Sequence, residues 1–126
     1  HSFDIPSDWL RLHPTCHHDD AKVMELLEKF VSMKTEAPRL FYLWGHTYAF
    51  EGNDNWEVFE QIAQRISGKE DIWYATNMEI YRYMQAVYSL IISADETIVH
   101  NPSATDVWIA YHRKPVKIPA GQTVKL

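Results

Sequence analysis

The sequence predicts an α/β protein: helices alternate with short strands over residues 1–88, and a small antiparallel β appendage follows over 89–126. Three observations carry this reading. Apolar residues recur at helical spacing in three separate segments, two short continuous apolar runs lie between them, and after Tyr88 the pattern changes to brief β-type runs broken by turn residues. Helix, strand, helix, strand, helix is the order expected of parallel strands joined by right-handed crossovers, in a layer or a barrel.

The elements follow in turn. Asp20 stands where a helix cap is needed, and Val23, Met24, Leu27, Phe30 and Val31 form one apolar face up to a stop at Pro38. Arg39 to Trp44 is a near-continuous apolar run, too short for a helix and typical of a strand buried on both faces. It ends abruptly in Gly45 and His46. Asp54 with Glu57 has the spacing of a capping box, and Trp56, Phe59, Ile62, Ala63 and Ile66 lead to Gly68 as a C-terminal cap. Ile72 to Ala75 reads as another strand. Thr76 with Glu79 then opens a helix carrying Ile80, Tyr83, Met84 and Val87. The later runs are Leu90–Ser93, Thr97–His100, Val107–Tyr111, Val116–Ile118 and Thr123–Leu126, with turns at Asp95-Glu96, Asn101-Pro102 and Ala120-Gly121.

Composition narrows the function classes. With 126 residues, 46% of them apolar, the chain can bury one domain core. A formal charge of −5 and scattered cations argue against a nucleic-acid partner. No apolar run approaches the roughly twenty residues of a membrane helix, and His1-Ser2-Phe3-Asp4 shows no secretory pattern. No membrane partner is expected. The single Cys16 excludes an internal disulfide and slightly favours a reducing, cytoplasmic compartment. The aromatic content of 13% suits both core packing and walls against sugar rings.

Two segments concentrate chemistry. The apolar run to Trp44 delivers His46 at the carboxyl end of a strand, where α/β proteins place reactive groups. Ahead of the first helix, His13-Pro14-Thr15-Cys16-His17-His18-Asp19-Asp20 gathers metal-capable and proton-transferring groups. Two such clusters on successive units point to one site. Each residue also has a plainer reading. His46 would be a buried histidine bonded to backbone, His17 and His18 an exposed loop pair pointing apart, Asp19 and Asp20 helix caps, and Cys16 a small core residue.

The strings Leu12 to Asp20, Leu40 to Phe50, Asp71 to Asn77 and Asn101 to Ala104, with the entry His1 to Asp4, resemble the C-terminal half of bacterial polysaccharide deacetylase-like proteins, of the NodB-homology or carbohydrate esterase class. The resemblance spans essentially the whole chain. It implies the C-terminal part of a distorted (β/α) barrel over 1–88 and a metal-dependent hydrolase that removes N-acyl groups from sugars. The divalent metal, zinc or similar, is then held mainly by ligands outside this chain, because the aspartate and paired-histidine motifs of that class do not occur here. His46 matches the late family histidine that acts as general acid toward the leaving amine, and Asp19 occupies the place of the acid that orients it. His13, His17, His18, Trp44 and Tyr48 are expected to line the substrate, a carbohydrate or other N-acylated molecule. Ala49 stands where relatives carry an acidic residue. The fragment alone is expected to be inactive, pairing with the missing N-terminal half or with another copy of itself.

Two alternatives from other classes stay open. One is a small metal-binding module built on His13, Cys16, His17, His18 and Asp19. The other is a carbohydrate-binding or interaction domain on the C-terminal strands, for which Trp108 and Tyr111 are the candidates, although strand alternation sets those two on opposite faces.

Overall fold

A computed structural model describes residues 1–126. The chain forms two compact units, His1–Ile72 and Trp73–Leu126.

In the first unit, β1 (Cys16–His17) pairs in parallel with β2 (Leu43–Trp44), and α1 (Val23–Ser32) connects them. Register sets Cys16 beside Leu43 and His17 beside Trp44. Flanking bonds lengthen the pairing: Thr15 N–H donates to Tyr42 O at 2.7 Å, and His18 N–H donates to Trp44 O at 2.9 Å. Two helices follow, α2 (Thr47–Asn53) and α3 (Trp56–Ile66). The core gathers Phe3, Cys16, Val23, Leu26, Leu27 and Ile62, with Phe30, Phe41 and Leu43 packed against it. Phe3, Phe30 and Phe41 form a ring trio with centroids 5.5–6.3 Å apart. Arg65 of α3 forms a two-pronged ion pair with Glu28 of α1, clamping the two helices together on their exposed side.

In the second unit, α4 (Asn77–Tyr88) opens with the capping box that Thr76 and Glu79 predict, each side chain bonded to the other's backbone N–H. Strands β3 (Ile91–Ile92), β4 (Ile98–His100) and β7 (Thr123–Lys125) form an antiparallel sheet in the order β3-β4-β7, while β5 (Val107–Tyr111) and β6 (Lys114–Ile118) form a hairpin. Met84, Ala86, Val99, Val107 and Ile118 are its buried apolar residues. Tyr83 of α4 accepts the Trp108 N–H at 3.1 Å, which fastens the helix to β5. This attachment groups α4 with the C-terminal strands, whereas the sequence reading placed it with residues 1–88. The hairpin turns through His112 and Arg113, both with positive φ (48° and 62°), the geometry of a type I′ turn without its usual Asn-Gly.

The expected (β/α) barrel is not present. Four helices and seven strands form three small sheets of two, three and two strands, with no closure. The physical reason is pairing: a strand persists only beside a neighbour that takes its N–H and C=O groups. Residues 72–75 join no ladder and form no strand, and Trp73 and Tyr74 stay more than half exposed. Of the run from Arg39 to Trp44, only the last two residues sit in a ladder, because β1 itself is two residues long. Asp54 does not cap α3 either. It holds a left-handed conformation (φ 49°) at the end of α2, and Asn55 occupies the N-cap of α3.

Candidate functional site

The carboxyl ends of β1 and β2 bring the two chemistry-bearing segments together. Past β1 the chain reverses through His17–Asp20, closed by the Asp20 N–H donating to His17 O at 3.1 Å. The reversal swings consecutive histidines, which in a continuing strand would face opposite ways, to ring centroids 4.1 Å apart. From His17 a line of rings crosses to β2 and on into α2: His17 to Trp44 (4.8 Å), Trp44 edge-on to His46 (5.1 Å), and His46 stacked on Tyr48 (4.8 Å, 16° between planes). Trp44, His46 and Tyr48 are exposed, so this line faces solvent. His46 also occupies the N-cap of α2, where its carbonyl accepts from Ala49 N–H at 3.1 Å and its ring makes no capping bond.

His18 lies on the other side of the turn, 2% exposed, with its ring 4.0 Å from that of Phe50. Gly45 makes room for it. A Cβ built at position 45 would stand 2.0 Å from His18 Nδ1, so any side chain there would collide with the imidazole. This glycine is required by close approach, a role that the sequence signals only as a break after the apolar run.

Neither nitrogen of His18 has a hydrogen-bond partner. Nε2 is 2.9 Å from Asp19 Oδ1, a distance that suits an ion pair, yet the alignment is not that of a hydrogen bond. Leaving a buried polar atom unsatisfied costs about 1–3 kcal/mol, so this ring is held at an energetic disadvantage. Asp19 also approaches His17, with Oδ2 3.7 Å from Nδ1, and its backbone N–H donates to the same nitrogen at 3.2 Å. His17, His18 and Asp19 each offer one ligand-type atom within 4.8 Å of the others.

The remaining candidates separate clearly. Asp19, expected to orient His46, lies against His17 and His18, while the rings beside His46 are those of Trp44 and Tyr48. His13 is exposed and outside the cluster. Cys16 points into the core, where burial first and the Asp20 carboxylate second push its thiol pKa up, the opposite of what a nucleophile or thiolate ligand needs. Asp20 accepts from His1 Nε2 (2.7 Å) and from Lys22 N–H (2.8 Å), bracing the entry to α1. The plain readings of His46 as buried and of His17 and His18 as splayed apart do not describe this arrangement.

No protein family, curated protein or solved structure matches the chain in comparisons with known proteins. No helix is long and apolar enough to cross a membrane.

Proposed function

We propose that this chain supplies the proton-donating, sugar-facing side of a hydrolase that removes N-acyl groups from sugars. The observation that carries the reading is the exposed line Trp44–His46–Tyr48 at the carboxyl end of a parallel strand pair, with an imidazole between two aromatic rings. Aromatic faces suit the apolar face of a pyranose ring. Tyr48, 71% exposed, and Trp44, 45% exposed, offer that surface on either side of the proton donor.

In this mechanism the sugar rests against Trp44 and Tyr48, which sets its acylated nitrogen at the edge of His46. The imidazolium of His46 gives its proton to that nitrogen as the C–N bond breaks, so the amine leaves neutral. The two ring contacts hold the imidazole in place of the carboxylate that commonly orients such a histidine. A divalent cation such as zinc, with ligands mainly outside this chain, supplies the activated water in this class of reaction. The partner is then the remaining part of a larger enzyme or a second copy. Exposed Trp56 and Phe59 on α3 fit surface that another segment covers. The alternative on the C-terminal strands has less support, since Trp108 is half exposed but Tyr111 alternates away from it along β5.

The test is His46→Ala in the complete enzyme, assayed on N-acetylated hexosamine oligomers. Turnover falls roughly 10²- to 10⁴-fold with metal content unchanged, as loss of a general acid requires. The isolated chain releases no acetate. Unchanged turnover in the variant removes His46 from the chemistry and the proposal with it.

A further inference from the structure

We propose that the turn after β1 is a transition-metal site in its own right, in which His17, His18 and Asp19 bind a divalent ion of the zinc type. The argument is independent of the role given to His46.

Three observations meet at this turn. The first is proximity: a tetrahedral zinc ion with ligands at 2.0–2.2 Å sets its ligand atoms roughly 3.3–3.6 Å apart. His18 Nε2 stands 2.9 Å from Asp19 Oδ1 and His17 Nδ1 3.7 Å from Asp19 Oδ2, and one ligand-type atom from each of the three residues lies within 4.8 Å of the others, so modest side-chain rotations bring them onto one ion. The second is the orphaned imidazole. His18 is buried and neither ring nitrogen has a hydrogen bond: Nδ1 has no partner, and Nε2 has only the poorly aligned Asp19 carboxylate 2.9 Å away. A cation takes an imidazole lone pair directly, which gives the unsatisfied ring the partner that the fold withholds. The third is rigidity with access. Gly45 and Phe50 fix the His18 ring from one side, whereas the side chains of His17 and Asp19 are 33% and 43% exposed, so an ion enters from solvent and keeps water in its remaining position.

The donor set defines the ion. Two imidazoles and one carboxylate suit zinc, cobalt or a similar first-row ion, and disfavour calcium and magnesium, which take oxygen ligands. Cys16, one residue before the trio, takes no part because its side chain belongs to the core. The turn thereby narrows the set that the sequence suggests, His13, Cys16, His17, His18 and Asp19, to the last three.

The experiment is a cobalt(II) titration of the 126-residue chain followed by visible absorption, with zinc competition. One equivalent binds, the bands report a low-symmetry nitrogen and oxygen environment, and zinc displaces the cobalt. Because His18 packs in the interior, the decisive variants are at the two solvent-facing ligands. His17→Gln and Asp19→Asn each weaken binding by at least about 10-fold, with circular dichroism unchanged, while His13→Ala and His46→Ala leave it intact. Absence of binding at millimolar metal overturns the proposal. So does binding that survives His17→Gln and Asp19→Asn, or that is lost with His13→Ala or His46→Ala. Since activity is not the readout, failure here leaves the His46 proposal standing, and failure of that proposal leaves this one.

Discussion

Each unit of the molecule buries one large polar side chain beside a strand end, and the two are treated in opposite ways. In the C-terminal unit Asn101 has no exposure, and each of its polar atoms is engaged: Nδ2 donates to Thr105 O (2.8 Å) and Ile118 O (2.9 Å), while Oδ1 accepts from Ser103 N–H (3.0 Å) and its hydroxyl (2.7 Å). In the N-terminal unit the His18 side chain is about as deeply placed, and its ring has no hydrogen bond. A satisfied buried amide holds a fold together by tying loop to strand. An unsatisfied buried imidazole contributes nothing comparable, so its value lies in what it can still bind.

The sharpest way to break this comparison is to remove both groups. Asn101→Ala strands the buried Ile118 carbonyl, unties the Ser103–Thr105 loop from it, and lowers unfolding free energy by about 3 kcal/mol in denaturant titrations. His18→Leu, which keeps volume and loses no hydrogen bond, stays within about 1 kcal/mol of the parent without metal. Equal losses for the two would show that His18 is structural after all. A smaller effect tests the fit of the ring against the backbone. Gly45→Ala forces His18 aside and costs about 2 kcal/mol, as overpacking does. Adding His18→Ala to that background recovers part of the loss, and a strictly additive double-mutant cycle would deny the contact.

The smallest effect separates the units by pH. Three carboxylates of the C-terminal unit are held below their usual pKa: Glu79 by the Thr76 N–H and hydroxyl, Asp95 by the Ser93 hydroxyl, and Asp106 by Lys117 and the Ala120 N–H. In the N-terminal unit one is so held, Glu28, by Arg65. Because each folded-state pKa lies below its unfolded value, the stabilisation is present above about pH 4 and is lost as pH falls through the folded pKa. Denaturant midpoints therefore drop between pH 6 and pH 3, and Glu79→Gln with Asp106→Asn shrinks that drop. All of these groups are exposed, so the change is modest. A drop of unaltered size in the double variant would assign acid sensitivity elsewhere.

Local patterning was sufficient where an element carries its own signal. The apolar faces of α1, α3 and α4, the Thr76–Glu79 box and the β-type runs after Leu90 are legible because period and cap chemistry act within a few residues of one another. Helix α2 left no such trace, since Phe50 is its one buried residue and a single anchor makes no periodic face. Residues 72–75 have strand composition without a strand, because composition cannot provide a partner. The I′-type turn at His112-Arg113 also lacks its usual residues.

For the site, the sequence by itself determined the inventory: a histidine at the end of an apolar run, and a polar string ahead of a helix. Only the tertiary structure decided how they meet. Pairing Cys16 with Leu43 sets His17 beside Trp44, the turn at His17–Asp20 folds two histidines and an aspartate onto one another, and the missing side chain of Gly45 admits the His18 ring. The physical reason is range. Periodicity and capping are written over a few neighbouring residues, whereas strand register and steric clearance join positions far apart in the chain and exist only once it has folded.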